Sequence, residues 1–247
     1  MADSSLGLEP LAPASGRRME QTIDAVRAAV DDGRMRPGVK YSVYQVAEAL
    51  GISRTPVRDA LLQLEQVGLI RFERRQGFRI LLPEPREIAE IFSIRLRLEV
   101  PGVRHAAARR TPEQVDLLRA QIESMREAAE AGDKAEFARR DQRLHDLVLD
   151  AAGHHRARSI IASLRETTRL LGASTFERTR PLRDIAAEHV PIVDAIAAGD
   201  VTAAETVMRT HLVRTGTLLV AQAVRDQNSD ADPDEIWHEA TEDLLPR

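Results

Sequence analysis

The chain has 247 residues, 43% of them hydrophobic but only 3% aromatic, so its core must be built from Leu, Ile, Val and Ala, which favours packed helices over a β-sandwich. Cysteine is absent, which excludes disulfides, zinc–thiolate centres and cysteine nucleophiles, and no apolar stretch approaches the ~20 residues of a membrane span, so a cytoplasmic protein is expected. The net charge of −4 is unevenly spread: residues 17–82 carry 12 basic and eight acidic side chains, whereas residues 226–247 carry one Arg and eight acids, so the basic part is the one suited to phosphate.

Residues 1–16 read as a disordered arm without a signal-peptide pattern. From Met19 to Val30, apolar residues at Ile23, Val26, Ala29 and Val30 make a helical stripe. Ser42 is placed to cap a helix over Val43–Leu50, with Gln45 completing a capping box. Gly51 makes the turn, and Ser53 begins a second helix that runs to about Val67 with Pro56 in its first turn. Leu69–Glu73 and Phe78–Leu82 read as hairpin strands, with Arg74-Arg75-Gln76-Gly77 at the tip. Over residues 17–82 this order of elements is that of a winged helix-turn-helix, which sets its second helix in the DNA major groove. That helix puts Arg54, Thr55 and Arg58 near its N-terminus and turns Ala60, Leu61 and Leu64 inward. Arginine bonds guanine O6 and N7 bidentately, and Thr55 suits a phosphate or a thymine methyl. At the tip, Arg74, Arg75 and Arg79 surround Gly77, whose missing side chain permits close approach of backbone to DNA. An isolated basic helix is more simply a solvated face; helix, turn, helix and wing in sequence favour DNA.

The run Val46-Ala47-Glu48-Ala49-Leu50-Gly51-Ile52-Ser53-Arg54-Thr55-Pro56-Val57-Arg58-Asp59-Ala60-Leu61, with Leu64-Glu65 and Gly68-Leu69-Ile70, resembles the GntR family of bacterial transcription regulators. The resemblance implies a double-stranded operator as partner. Where many relatives carry a DNA-touching arginine, this chain has Tyr44, whose hydroxyl is suited to a phosphate.

Pro83 and Pro85 mark a boundary. From there to residue 225 the periodicity is helical throughout, giving helices at roughly 85–109, 112–131, 133–152, 156–177, 182–198 and 200–225. The expectation is a mainly α protein, with an all-α, six-helix antiparallel bundle over residues 83–225. The acidic tail, 226–247, is expected to fray, although Ile236, Trp237, Leu244 and Leu245 offer a docking face. Within the bundle, Asp141 and His145 are four apart and share a helix face. His189 and His211 are equidistant from the Gly199-Asp200 break, so an antiparallel hairpin sets them at one height. One carboxylate and three imidazoles make a first shell for a divalent transition metal, zinc first, with nickel, manganese or iron as others. Singly, each histidine is more simply a core or surface residue. His105 and His238 have no partners at ligand spacing, and His154-His155 lie at a helix end.

Glu87-Ile88, Ile94-Arg95, Leu98-Glu99, the Asp141/His145 pair, Glu188-His189, Ile192-Val193-Asp194-Ala195-Ile196, Gly199-Asp200 and His211-Leu212 resemble the FCD domain of FadR-type regulators. That resemblance implies a homodimer on a roughly palindromic operator and a small organic acid as effector. It also implies metal ligation by Asp141, His145, His189 and His211. Arg95 is the candidate for the effector carboxylate, an internal ion pair with Glu99 being the competing account. Arg165, Thr168, Arg169 and Ser174 are further candidates to line the pocket. The function read from both domains is an effector-controlled transcription regulator, most simply a repressor. Alternatives are a sensor for which the ion itself is the effector and, more remotely, a metal-dependent hydrolase, against which no separate general base stands at motif spacing.

Overall fold

The computed structural model describes residues 6, 8–10, 18–31, 33–66, 68–74, 76–81, 84–170 and 180–244. They form two compact units, one built on the residues up to Pro83 and joined by the end of a later helix from Thr167, the other on the remainder from Glu84.

The first unit runs α1 (Arg18–Asp31), β1 (Lys40–Tyr41), α2 (Val43–Leu50), α3 (Arg54–Gln66), β2 (Ile70–Glu73) and β3 (Gly77–Ile80). Ser42 caps α2 through the Gln45 N–H while the Gln45 side chain accepts from the Ser42 N–H, so two otherwise orphaned donors are satisfied reciprocally. The helical period of α3 puts Val57, Ala60, Leu61 and Leu64 wholly inside, in one core with Val26 and Ala29 of α1 and Val46 and Leu50 of α2. The Glu65 carboxylate accepts the Phe72 N–H at 2.6 Å, tying α3 to the first strand of the wing. β2 and β3 pair antiparallel in the register Ile70↔Ile80 and Phe72↔Phe78. A third strand, which the sequence pattern did not predict, lies on the other side of β3, giving the order β1-β3-β2. β1 is only two residues long, too short for an alternation pattern to announce it.

The second unit comprises α4 (Pro85–Arg109), α5 (Pro112–Glu130), α6 (Lys134–Ala151), α7 (His155–Leu170), α8 (Leu182–Ala198), α9 (Val201–Asp226) and α10 (Pro233–Thr241). α4 and α9 pack along each other, while α5 is flanked by α6 and α8. Side-chain caps mark the starts: Thr111 with Gln114 for α5, Asp133 for α6 and Asp200 for α9.

The tail departs from the sequence-based expectation. It does not fray over 233–241 but forms α10, which packs on α4 and α9. Asp232 caps it, Pro233 follows at the first helical position, and two acids fill its first turn. Trp237 is 5% exposed and lies 6.2 Å from the Phe92 ring. Gly216 of α9 makes room for it, because a Cβ there would collide with the indole and stand 2.9 Å from Phe92. The tail's acids meet basic partners on the bundle: Glu239 with Arg86 at 3.2 Å, Asp243 with Arg97 at 2.8 Å, and the Leu244 carbonyl with Arg209 at 2.6 Å. Its negative charge is therefore complementary to a docking surface. Trp237 is the chain's sole tryptophan and reports on this contact. Gly216→Val should shift its emission to the red by expelling it into water, and Trp237→Ala should cost about 3–5 kcal/mol in denaturant unfolding. Unchanged emission in the first variant would contradict the docking described.

Candidate functional site

Three helices of the second unit, α6, α8 and α9, bring side chains to one buried centre. Asp141 and His145 share a face of α6, as spacing by one helical turn requires. The α8–α9 hairpin, symmetric about position 200, sets the His189 and His211 rings 4.4 Å apart, and the His145 ring lies 5.6 Å from each. One ring nitrogen from each of the three lies within 4.8 Å of the others. All three are buried, His189 completely.

The ring orientations follow from what the other nitrogens do. Nδ1 of His189 is 2.8 Å from the Ile185 carbonyl, which can only accept, so this nitrogen carries a proton and Nε2 turns away from the helix. Nδ1 of His145 bonds the Glu99 carboxylate, another acceptor, with the same consequence. Burial, reinforced by the Arg165 charge, brings the His145 pKa down to about 4. Burial, with His189 beside it, brings His211 down to about 3. Both rings are thus neutral at pH 7. Nε2 of His145, Nε2 of His189 and Nδ1 of His211 are buried and make no hydrogen bond. Nε2 of His189 is only 2.9 Å from Oδ1 of Asp141 but out of line for an N–H···O bond. The other Asp141 oxygen accepts from Arg165 of α7.

Around the imidazoles stand three ion pairs: Arg95–Glu99 at 2.7 Å, Arg165–Asp141, and Arg180–Glu188 at 2.5 Å. Burial alone would raise all three carboxyls, yet each is held below its ordinary value. Arg95 and His145 prevail at Glu99, Arg165 and His189 at Asp141, and His211, with Nδ1 3.6 Å away, together with the bond from Arg180 at Glu188, which falls to about 2. The pairs are therefore ionised at neutral pH and sum to zero charge. Arg95 takes the internal ion pair weighed in the sequence, with its guanidinium 4.7 Å over the Phe92 ring, but its Nη2 is buried without a hydrogen bond. Thr168 is buried, while the Arg169 side chain and Ser174 lie outside the described residues. The sequence did not point to Glu99 as the partner of His145, 46 positions away, nor to Arg180, which precedes α8 in a stretch without periodicity.

The DNA-reading candidates fall on one unit. Arg54, Thr55 and Arg58 are exposed on α3, and Tyr44 is exposed on α2. Arg74 is exposed at the wing, and Arg75 lies outside the described residues. Gly77 has φ +91°, and a Cβ on it would collide with the Tyr41 carbonyl, so the close approach it permits is to β1 of its own sheet. Arg79 is engaged by Glu73 and by the Gly38 carbonyl. His105, which lacked a partner at sequence spacing, meets His154 with ring nitrogens 2.8 Å apart, because the turn after α6 returns to α4.

A dependence of stability on pH is expected for protein kept metal-free by chelator. His145 and His211 have folded-state pKa values below the unfolded value of about 6.5, so the stabilisation is complete above that pH and is lost as pH falls toward about 4. The loss should be about 1.4 kcal/mol per pH unit for each imidazole. Urea unfolding midpoints at pH 7 and pH 5 measure it, and equal midpoints would contradict the burial of neutral rings.

The family model for bacterial regulatory proteins of the gntR family matches residues 18–80, and that for the FCD domain matches residues 90–214. The probable D-xylose utilization operon transcriptional repressor of Paenarthrobacter nicotinovorans is 31% identical over 198 residues, 78% of this chain and 84% of that protein. The HTH-type transcriptional repressor RspR of Escherichia coli (strain K12) is 26% identical over 194 residues, again 78% and 84%. Among solved structures, E. coli McbR/YncC matches with a TM-score of 0.62 at 23% identity, over 84% of this chain and 99% of that one, a likeness of fold. Among the described residues no helix is long and apolar enough to cross a membrane. A winged helix-turn-helix followed by a helical domain with three converging histidines, matched by both family models, places the chain in the GntR family of bacterial transcriptional regulators as a member with an FCD domain, a regulator and not an enzyme.

Proposed function

We propose that this regulator, acting as a cytoplasmic homodimer, represses transcription from a roughly palindromic operator and is released by a small organic acid. The exposed face of Arg54, Thr55 and Arg58, with Arg74 and Arg75 at the wing, meets the DNA. His145, His189 and His211, with Asp141 at their edge, hold a divalent transition ion, zinc before nickel, manganese or iron. The observation that carries this reading is the convergence of three buried imidazoles, one ring nitrogen of each within 4.8 Å of the others, with Nε2 of His145 and Nε2 of His189 making no hydrogen bond. Nitrogen ligands bond such an ion at about 2.0–2.1 Å, so the rings would draw inward on binding. Glu99 and the Ile185 carbonyl supply the outer contacts that fix ligand tautomers in metal sites. When bound, the ion supplies positive charge and open coordination positions.

That charge explains the effector class. Each surrounding carboxylate is already matched by an arginine, Glu188 by Arg214 at 2.8 Å as well as by Arg180, so a divalent ion among the imidazoles leaves its positive charge uncompensated in a buried place. A carboxylate compensates that charge, and the unused Nη2 of Arg95 is a donor for its second oxygen.

Two results are expected. Arg58→Ala should weaken operator binding by about 1–3 kcal/mol in a gel-shift titration while leaving the melting temperature in place; undiminished affinity would remove α3 as the recognition helix. In a screen of small mono- and dicarboxylates, any that release the operator should fail on protein stripped with chelator and recover when the ion is restored. Release by the ion alone would instead identify a metal sensor.

A further inference from the structure

The side chain that begins the recognition helix has an aromatic partner. Arg54, the first residue of α3, holds its guanidinium carbon 5.0 Å from the centroid of the Tyr44 ring on α2. Tyr44 is 52% exposed, which is unusual for an aromatic side chain in a chain so poor in them, and it is not part of the core of its unit. Its hydroxyl lies 3.4 Å from a Glu48 carboxylate oxygen one helical turn on. No carboxylate among the described residues pairs with Arg54. Two other cations of this unit, Lys40 and Arg79, instead close on Glu73.

We propose that Tyr44 is a positioning residue for operator specificity, stacking on Arg54 so that its guanidinium fork is aimed before DNA arrives. The proposal rests on the DNA-reading role assigned above to the exposed face of α3. An arginine at a helix start ordinarily samples many rotamers, and ordering such a side chain on binding costs affinity. A carboxylate partner would order it too, but would occupy its N–H groups and cancel its charge. A ring face does neither. The attraction is to the ring quadrupole, so the donors at the guanidinium edge stay free for guanine O6 and N7 or for a phosphate. The stack also gives a physical role to the position where many relatives of this family carry an arginine: the tyrosine acts through Arg54 and needs no phosphate contact of its own.

The test uses full-length protein and a duplex enriched by the wild type from a randomised pool, with a scrambled duplex of equal length at the same salt concentration. Cation–π contacts carry enough energy for Tyr44→Ala to weaken binding to the enriched duplex roughly three- to thirtyfold, with little change on the scrambled one. Tyr44→Phe keeps the ring and should bind as the wild type does. Tyr44→Ala combined with Arg54→Ala should be no weaker than Arg54→Ala alone. Additive losses in the double variant would overturn the stack's role, as would a Tyr44→Phe loss equal to that of Tyr44→Ala, which would assign the effect to the hydroxyl. If the wild type enriches no sequence, the DNA-reading role of α3 fails and the positioning role with it; if Arg58→Ala abolishes enrichment while the Tyr44 variants are silent, the positioning role fails alone. Tyr44 is exposed, so the melting temperatures of its variants should match that of the wild type and separate loss of aim from loss of fold.

Discussion

A buried nitrogen with a lone pair and nothing to accept from is costly, about 1–3 kcal/mol when hydrogen bonding is lost without replacement. The bundle gathers three buried imidazoles, each with a ring nitrogen lacking a hydrogen bond, in an interior otherwise rich in Leu, Ile, Val and Ala, where apolar residues would pack without that cost. Much around them is arranged to keep the imidazoles oriented. Glu99 reaches across from α4 to His145, the Ile185 carbonyl holds His189 from within its own helix, and Arg165 fixes Asp141 from α7. Interactions of this kind stabilise only the side chains' directions; the atoms they direct inward still need a cation or a proton. With His145 and His211 resisting protonation, the proposed ion is the partner that would meet the need.

The charge arrangement then restricts which ligands such a centre can take. In the shell around the imidazoles each carboxylate is matched by at least one arginine, which lets ionised groups lie in the interior at all. Such a shell does not tolerate two additional positive charges without a counter-anion. Ligand recognition in the proposed scheme is thus a charge requirement before it is a matter of shape. For binding to alter operator affinity, the anion must favour one arrangement of the proposed dimer's DNA-reading units over another, since a ligand with equal affinity for both shifts nothing.

The sequence was most legible where short-range rules act. The capping box at Ser42 and Gln45, the turn at Gly51, and the helix starts at Thr111, Asp133 and Asp200 are local devices, and each stands where the chain chemistry puts it. The convergence of His189 and His211 was also readable, because hairpin symmetry turns sequence distance into spatial proximity. What was not readable depends on contacts between distant segments. The Glu99–His145 bond, the Arg180–Glu188 pair and the β1 strand have no signature until the chain is folded. Composition misled at the tail: a run of acids suggests solvation, but Arg86 and Arg97 turn two of the same charges into docking contacts, and Trp237 anchors the tail over Gly216. The wing glycine shows the same limit, since its missing side chain is required by the Tyr41 carbonyl of a strand that periodicity did not reveal.

The proposed ion centre is tested most directly by elemental analysis of the purified full-length protein alongside His145→Ala, His189→Ala and His211→Ala, each confirmed as folded. The account predicts close to one equivalent of a divalent transition metal per chain in the wild type and its loss in the histidine variants. Full metal content in folded His189→Ala and His211→Ala protein would contradict it.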